Sequence, residues 1–423
     1  MNISIKNQVN ENKLLLANLA LLLILGGVLF FFSFDRQIVS ILKTTLMQEL
    51  GVSNQNYSIL ITAFMVPYTF MYFVSGIIVD KYGSRYVLTA SVIFMSIATL
   101  TTGLSHSMTG LVIGRIILGL AESCIVPALT LAIFTWFKPH QRASAYQTTN
   151  LIQSFGLILA PPFVAWMTVM ASWRIAFFVP AIIGCFIALL WFIKSKKAPN
   201  DVNESDDNNN QLVEEQHSVL ERYKAVLTSK PIWVLIIARL LTDPFWFFYQ
   251  YWQVGFMQES LGLSLPEVGK LLWFPPLIAV IGVFIMCYFS DKLVSKGLDA
   301  TKARLVIICS CTVLSVFTFI LPSVSNPYIA VAIMTSINFM CSTWLTMASI
   351  MMGGIAHKYV IATAIGLMSA LGGVSSIIFN GFVGSIIDSF GYSVPIYFGA
   401  ALHPIGAIVL ACFFFRKKNY TLN

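Results

Sequence analysis

The fold is decided at residues 76–85, which read Gly76-Ile77-Ile78-Val79-Asp80-Lys81-Tyr82-Gly83-Ser84-Arg85. The segments on either side of this stretch, residues 55–79 and 86–104, are apolar and carry no charge. A helix of about 20 apolar residues is long enough to cross the hydrocarbon core of a bilayer. A turn exposed to lipid could not satisfy its backbone hydrogen bonds, so the charged stretch must lie in water. It therefore predicts a helical hairpin that crosses a membrane twice.

The rest of the chain repeats this pattern. Of its 423 residues, 57% are hydrophobic and 10% are charged, whereas a soluble domain carries about 25% charged residues. We number the apolar windows spans 1 to 12 in chain order: 14–42, 55–79, 86–104, 108–137, 144–169, 175–193, 231–257, 268–289, 305–322, 326–352, 360–387 and 394–415. They predict an all-α membrane protein with twelve transmembrane helices. Residues 14–34 are too long for the core of a signal peptide, so we expect span 1 to be retained.

The basic residues indicate how the chain is oriented. Of the 26 lysines and arginines, 20 lie at the termini and in the loops that follow even-numbered spans, three in the other loops and three inside spans. Because lysine and arginine are enriched in cytoplasmic loops, both termini are predicted to be cytoplasmic. The formal charge of +8 is not gathered into one basic patch, so nucleic acid is not an expected partner.

A polar segment divides the chain. Residues 201–210, within the loop 194–230, are rich in Asp and Asn, a composition typical of a flexible linker. The loop also contains a short amphipathic stretch near residues 219–227. We therefore predict an N-terminal six-helix bundle (1–193), a cytoplasmic linker, and a C-terminal six-helix bundle (231–423).

The two predicted bundles resemble each other in their loops. Asp80-Lys81 follows span 2, and Asp291-Lys292 follows span 8, which occupies the same place in the second bundle. An internal duplication of this kind is a general plan of secondary transporters, in which the ligand site lies near the bilayer midplane between the repeats. The sequence therefore predicts two pseudo-symmetric bundles with a binding site between them.

Four charged residues lie inside the spans of the first bundle. They are Asp35 and Arg36 in span 1 and Arg115 and Glu122 in span 4. Such a residue at mid-helix costs about 2.5–3.5 kcal/mol on insertion scales, so it is a functional candidate by default. Asp35 and Arg36 must diverge by about 100°, whereas Arg115 and Glu122 share one helical face about 10 Å apart. Ion pairs that only fix helix packing, such as Asp35–Arg36 or Asp35–Arg115, remain an alternative.

The second bundle offers one charged pair. Arg239 and Asp243 in span 7 are four residues apart, which places them on one helical face as an intrahelical pair. Their role is either structural or one in gating. Polar and aromatic side chains that could face a ligand, but could equally be packing residues, are Trp246, Tyr249, Tyr251, Trp252, Asn338, Trp344, Ser375 and Asn380.

Residues 76–85 resemble the signature loop of the major facilitator superfamily, with Ser84 in place of a basic residue. Further motifs are similar to the anion:cation symporter family, which includes bacterial hexuronate, galactonate and glucarate symporters and the animal protein sialin. These motifs are Asp35-Arg36, Gly114-Arg115 with Glu122 and Pro127, Trp136-Phe137 with Arg142, Ala160-Pro161-Pro162, Ala171-Ser172-Trp173-Arg174, Arg239 with Asp243-Pro244, and Ala362-Thr363-Ala364 with Gly366. Phe32-Ser33 departs from the family's Asn-Tyr, which puts the exact ligand in doubt.

The resemblance implies roles for individual residues of the first bundle. Asp35 and Glu122 match proton-carrying carboxylates. Arg36 matches a residue linked to proton coupling, and Arg115 matches a residue near the substrate. We predict that both arginines bind the substrate. Tyr68 and Gln153 match residues that line a sugar-acid pocket.

The signature loop is expected to form a cytoplasmic latch. Asp80 can pair with Arg85 and accept hydrogen bonds from a helix N-terminus, while Gly76 and Gly83 allow a close approach and a tight turn. Such a latch would favour the outward-open state.

These features predict a proton-coupled symporter that imports an organic anion, such as a hexuronate, by alternating access. Its expected setting is a bacterial cytoplasmic (inner) membrane, and its expected partners are the anion, protons and lipid. We expect a monomer without a cofactor, driven by the proton gradient.

The alternatives are a proton-coupled exporter of a drug or metabolite, and a receptor built on a transporter fold. Residues 156–161 resemble an exporter motif but lack its second glycine. An enzyme is not expected. The seven cysteines lack metal-ligand spacing, the five histidines lie singly in loops or at span ends, and no nucleophile–base set or phosphate-binding loop is present.

Overall fold

The computed structural model describes residues 2–196, 219–357 and 360–415, which form helices and turns without a β-strand. The polar run 201–210 of the predicted linker and the basic residues 416–418 lie outside these ranges. We call residues 2–196 the first half and residues 219–415, as far as they are described, the second half.

The first half contains seven helices. They are α1 (Asn2–Ile41), α2 (Lys43–Leu50), α3 (Asn54–Leu104), α4 (Met108–Glu122), α5 (Ile125–Trp136), α6 (Pro139–Met170) and α7 (Ile175–Lys194). Spans 1, 5 and 6 correspond to α1, α6 and α7. Span 4 is made of α4 and α5, which are separated by a turn directly after Glu122.

The second half contains nine described α-helices, one short π-helical segment and one short 3-10 segment. They are α8 (Val219–Thr228), α9 (Lys230–Gly255), a π turn (Phe256–Ser260), α10 (Leu265–Leu271), α11 (Phe274–Ser295), α12 (Ala300–Thr312), α13 (Ser315–Ile320), a 3-10 turn (Leu321–Ser323), α14 (Pro327–Ile355), α15 (Ile361–Phe390) and α16 (Ser393–Phe414). Spans 7, 10, 11 and 12 correspond to α9, α14, α15 and α16. Span 8 is made of α10 and α11, and span 9 of α12 and α13.

Helix α3 contains two spans. Its 51 residues would reach about 77 Å as one straight helix, far more than the hydrocarbon thickness of about 30 Å. The backbone leaves helical geometry at Gly83, where φ is 76° and ψ is 158°. Glycine adopts a positive φ without the steric cost that a side chain brings. The described residues contain eleven helical segments suited to crossing a membrane, and counting α3 as two gives the twelve crossings predicted.

The halves meet along several pairs of helices. Helix α3 packs against α15, α6 against α10 and α11, and α1 against α9. The closest approach is at Gly384 of α15, where a Cβ would lie 2.1 Å from the carbonyl oxygen of Asn54. The Gly384 backbone N–H donates to Ser58 Oγ at 2.8 Å. Glycine is therefore required here so that α15 can lie directly on the start of α3.

Hydrogen bonds between the halves concentrate at the end of the molecule where α2 lies, which we call the α2 end. Gln37 Nε2 donates to Gln250 Oε1 at 2.7 Å, and Asn54 Nδ2 donates to Asp388 Oδ1 at 2.8 Å. At the opposite end of spans 2 and 10, a Cβ added to Gly76 or Gly353 would meet no atom within 4 Å. The structure is therefore closed at the α2 end, which the predicted topology assigns to the outside.

Candidate functional site

An ion pair joins spans 1 and 4. Arg36 Nε donates to Glu122 Oε2 at 2.6 Å, and the side chains are 22% and 0% exposed, respectively. The sequence left the partners of these residues open, and neither Asp35–Arg36 nor Asp35–Arg115 forms an ion pair among the described residues. The observed pair connects two helices that are far apart in sequence, so span periodicity could not reveal it.

Aromatic rings surround the Arg36 guanidinium. Its Cζ atom lies 4.1 Å from the ring centroid of Phe32, 4.5 Å from that of Tyr68 and 5.2 Å from that of Phe64. Cation–π attraction grows when the cation is desolvated, so these rings stabilise a charge in the protein interior. The predicted site residue Tyr68, which is partly buried, is thus brought to the ion pair.

Arg115 is a buried guanidinium with unused donors. It is 1% exposed, and its Nε atom donates to the Leu60 carbonyl at 3.4 Å. Its Nη1 and Nη2 atoms are buried and have no hydrogen-bond partner among the described residues. Buried polar groups are normally hydrogen-bonded, and a guanidinium fork matches a carboxylate in a bidentate manner. Arg115 therefore has the chemistry of an anion site.

The two arginines lie close to each other. Arg36 Cζ and Arg115 Cζ lie 5.2 Å and 4.7 Å from the centroid of the same ring, that of Phe64, so they are no more than about 10 Å apart. Arg36 also has one buried guanidinium nitrogen, Nη2, for which the described part of the chain offers no hydrogen-bond partner. The two guanidinium groups create a positive region. Glu122 neutralises part of it by forming an ion pair with Arg36.

Asp35 has a different environment from that of Arg36, as the predicted divergence requires. It is 3% exposed, and its Oδ2 atom lies 2.9 Å from Thr99 Oγ1 of α3. Its Oδ1 atom is buried without a partner in the described part of the chain. The two carboxyl groups therefore have different partners: Asp35 contacts the Thr99 hydroxyl group, and Glu122 contacts the Arg36 guanidinium.

Gln153 is less tightly placed than the other predicted residues. It lies on α6, which packs along α1, and its side chain is partly buried. Within the described ranges it makes no side-chain hydrogen bond.

The second half contains the predicted pair of Arg239 and Asp243. Arg239 Nε and Nη2 donate to the two Asp243 carboxylate oxygens at 2.5 Å and 2.7 Å, and both side chains are buried. A Cβ at Gly372 of α15 would lie 2.0 Å from Asp243 Oδ2, so α15 packs directly on this pair. The predicted intrahelical pairing is confirmed, whereas its role in gating stays a prediction.

Some residues of the second half differ from the sequence-based expectation. His403 was expected at a span end, but it is 1% exposed inside α16, with Nε2 at 3.5 Å from Cys341 Sγ. Of the ligand-facing candidates, Asn380 donates to the Ser376 carbonyl at 3.0 Å, which indicates a packing role in this conformation. Helical periodicity gives the face of a residue but not which neighbouring helix covers it.

Sequence reasoning did not identify a charged cluster at the α2 end. Lys43, assigned to a loop, is 0% exposed, forms an ion pair with Glu259, and donates to Tyr392 Oη at 2.7 Å. Tyr392 Oη in turn donates to Glu259 Oε2 at 3.1 Å. The Lys43 ammonium also lies 5.5 Å from the Tyr57 ring centroid and 5.0 Å from that of Trp252. One signal was available, because Lys43 directly follows an apolar span.

A model of the family described as the Major Facilitator Superfamily matches residues 25–360. The chain belongs to the Major Facilitator Superfamily. It is accordingly a multi-pass membrane transporter rather than an enzyme.

Named transporters are similar to it over most of its length. The hexuronate transporter of Escherichia coli (strain K12) is 28% identical over 401 residues, covering 92% of this chain and 91% of the relative. The galacturonate transporter of Dickeya chrysanthemi is 28% identical over 313 residues, covering 70% and 88%. The relatives confirm the resemblance to sugar-acid transporters that the sequence motifs indicated.

Solved structures share the fold of this superfamily member. A bacterial homolog of the human lysosomal transporter Spinster, in an inward-facing and unoccupied conformation, aligns with a TM-score of 0.76 at 15% identity, covering 95% of this chain and 96% of the other. A D-xylose-proton symporter aligns with a TM-score of 0.71 at 14% identity, covering 93% and 96%. These likenesses confirm the predicted all-α fold.

The signature loop of this superfamily member is not latched. Asp80 is exposed and makes no ion pair or hydrogen bond within the described ranges, so the predicted contact with Arg85 is absent. Arg85 instead lies over the Phe192 ring, with Cζ at 4.4 Å from the centroid. The latch itself stays a prediction for the outward-open state. The latch was expected to favour the outward-open state, and the structure is closed at the α2 end.

Proposed function

We propose that this transporter is a proton-coupled symporter that imports a sugar acid, such as a hexuronate. The names of the similar transporters support the substrate class. The observation that carries the proposal is the buried Arg115 guanidinium, whose two Nη donors have no hydrogen-bond partner among the described residues. A guanidinium with free donors in the interior suits an anionic ligand, which favours an anion transporter over a drug exporter.

The substrate carboxylate would bind to Arg115. A bidentate contact to Nη1 and Nη2 would satisfy both donors, and charge-assisted bonds of this kind are roughly twice as strong as neutral ones. Tyr68 would donate to a substrate oxygen, because its ring lies beside Arg36 and its side chain is only partly buried. Gln153 would bind sugar hydroxyl groups through an amide that makes no other hydrogen bond in the described structure.

Protons would act through the Arg36–Glu122 pair. While Glu122 is ionised, it holds Arg36 at 2.6 Å and neutralises part of the positive region. When Glu122 takes up a proton, Arg36 loses its counter-charge and becomes free to attract the substrate anion. Proton loading therefore favours anion binding, and each Glu122 that loads carries one proton inward with the substrate.

Transport would proceed by rocking of two bundles, residues 1–193 and 231–423, about the site between them. In the outward-open conformation the contacts at the α2 end would break, and the signature latch would form at the opposite, cytoplasmic end. We place the protein as a monomer in a bacterial cytoplasmic membrane with both termini inside, which agrees with the bacterial relatives and the charge distribution.

The test uses purified protein in proteoliposomes. An inward proton gradient should drive accumulation of labelled glucuronate or galacturonate, and each sugar acid that enters should acidify the lumen. A panel containing galactonate and glucarate would define the preferred anion. Accumulation only when the gradient is reversed would favour the antiporter alternative, and no response to any sugar acid would refute the proposal.

A further inference from the structure

The Thr99 hydroxyl lies between two oxygen atoms. Its Oγ1 atom is 2.9 Å from Asp35 Oδ2 and 2.9 Å from the carbonyl oxygen of Met95, one turn earlier on α3. Thr99 is 3% exposed, so solvent does not compete for these contacts. A threonine hydroxyl carries one proton and can donate to only one of the two oxygens at a time.

The protonation state of Asp35 decides whether both contacts can be hydrogen bonds. If Asp35 is ionised, both neighbours of Thr99 are acceptors, and one of the contacts has no proton. If Asp35 carries a proton, its O–H donates to Thr99 Oγ1, and the Thr99 O–H donates to the Met95 carbonyl. Only the second arrangement satisfies both short contacts.

The surroundings of Asp35 also favour the neutral form. Oδ1 has no partner in the described structure, and no ion pair with a cation is formed. An ionised carboxylate that is buried without a cation or several donors costs several kcal/mol, which a neutral carboxyl group avoids. Glu122 is different, because the Arg36 guanidinium compensates its charge at 2.6 Å.

We propose that Thr99 is a positioning residue that holds a proton on Asp35 while the α2 end is closed. This inference rests on the proposed function, since it assigns a proton-carrying role to Asp35. On release, the proton leaves the Asp35 carboxyl group for water, and the Thr99 O–H turns from the Met95 carbonyl to the new carboxylate. Of the two proposed proton carriers, Asp35 is thus neutral and Glu122 is ionised in the conformation described here.

A matched control lies on the same helix. Thr102 is equally buried, at 3% exposure, and its Oγ1 donates to the carbonyl of Ala98 at 2.8 Å. It has the same contact with the preceding turn as Thr99 but no contact with a carboxylate. Thr102→Val therefore removes an intrahelical hydroxyl bond without affecting Asp35, and it measures the purely structural effect of such a change.

The experiment compares Thr99→Val, Thr99→Ser and Thr102→Val in proteoliposomes. The measured quantities are the number of protons that enter per labelled sugar acid and the rate of counterflow exchange without a gradient. We expect Thr99→Val to lower the proton-to-substrate ratio and to reduce gradient-driven accumulation by up to about 10-fold, the upper end of the effect of one lost neutral hydrogen bond. Counterflow should stay within about twofold, and Thr99→Ser and Thr102→Val should match the unmodified protein.

An unchanged proton-to-substrate ratio in Thr99→Val would overturn the inference. Asp35→Asn separates this failure from a failure of the proposed function: if Asp35→Asn also keeps the ratio, Asp35 carries no proton at all. Infrared spectroscopy provides a second test that does not require Thr99→Val to fold. The unmodified protein should show a carboxylic acid C=O band that Asp35→Asn removes and Thr99→Ser retains, and the lack of such a band would refute the neutral carboxyl group.

Discussion

Replacing Glu259 by Gln should open the α2 end. Glu259 provides the counter-charge for Lys43, which is fully buried between the halves. Gln keeps the size of the side chain but removes its charge, so the closed conformation would retain a buried ammonium without an anion. In a conformation that is open at the α2 end, water could reach Lys43, and the substitution would have little effect there. The change therefore acts on the equilibrium between conformations.

The size of the effect follows from the surroundings of Lys43. Removing one partner of a fully buried ion pair costs about 3–5 kcal/mol. The cost should be lower here because Glu259 is 27% exposed. The Tyr392 hydroxyl also remains 2.7 Å from Lys43 Nζ, and the rings of Tyr57 and Trp252 stay in place. A loss of about 2 kcal/mol would shift the population of closed molecules relative to open ones by about 30-fold.

The assay is a distance measurement between the halves. Spin labels at Gln48 and Ser260, both exposed at the α2 end, would report opening by double electron–electron resonance. The labels are introduced in a variant whose native cysteines have been replaced. Glu49→Gln is the matched control, because Glu49 accepts from Trp173 Nε1 at 2.6 Å within the first half alone. Glu259→Gln should populate a longer distance that Glu49→Gln does not. Identical distance distributions in both variants would refute the reasoning that Lys43–Glu259 holds the halves together.

Three further substitutions test other contacts. Arg115→Lys keeps the charge but loses the fork, so sugar-acid affinity measured by thermal shift or calorimetry should fall about 10- to 100-fold; unchanged affinity would exclude Arg115 as the anchor. Glu122→Gln cannot carry a proton, so gradient-driven accumulation should be lost while counterflow persists, and intact accumulation would remove Glu122 from coupling. Gly384→Val places a Cβ 2.1 Å from the Asn54 carbonyl, so overpacking should destabilise the closed form by about 1–3 kcal/mol. The spin-label distances would report this opening, and an unchanged distribution would mean that α15 can shift without cost.

Much of the fold could be predicted from local sequence because crossing a membrane is a local requirement. A segment either has about 20 apolar residues or it does not, so the spans and the charges within them can be read directly. The pairing of Arg239 with Asp243 and the divergence of Asp35 from Arg36 also follow from helix geometry alone, since 3.6 residues per turn fix both relations.

The contacts between helices could not be predicted in this way. Arg36 pairs with Glu122 of a different span, Lys43 is buried between the halves rather than in a loop, and Asp80 forms no ion pair with Arg85 in the described part of the chain. Each contact depends on the rotation and tilt of one helix against another, and on which end of the molecule is closed. The sequence by itself determined how many helices cross the membrane and which of them carry charge. Only the tertiary structure decided which charges meet, because ion pairs and hydrogen bonds act over a few ångströms between helices whose relative positions no single helix specifies.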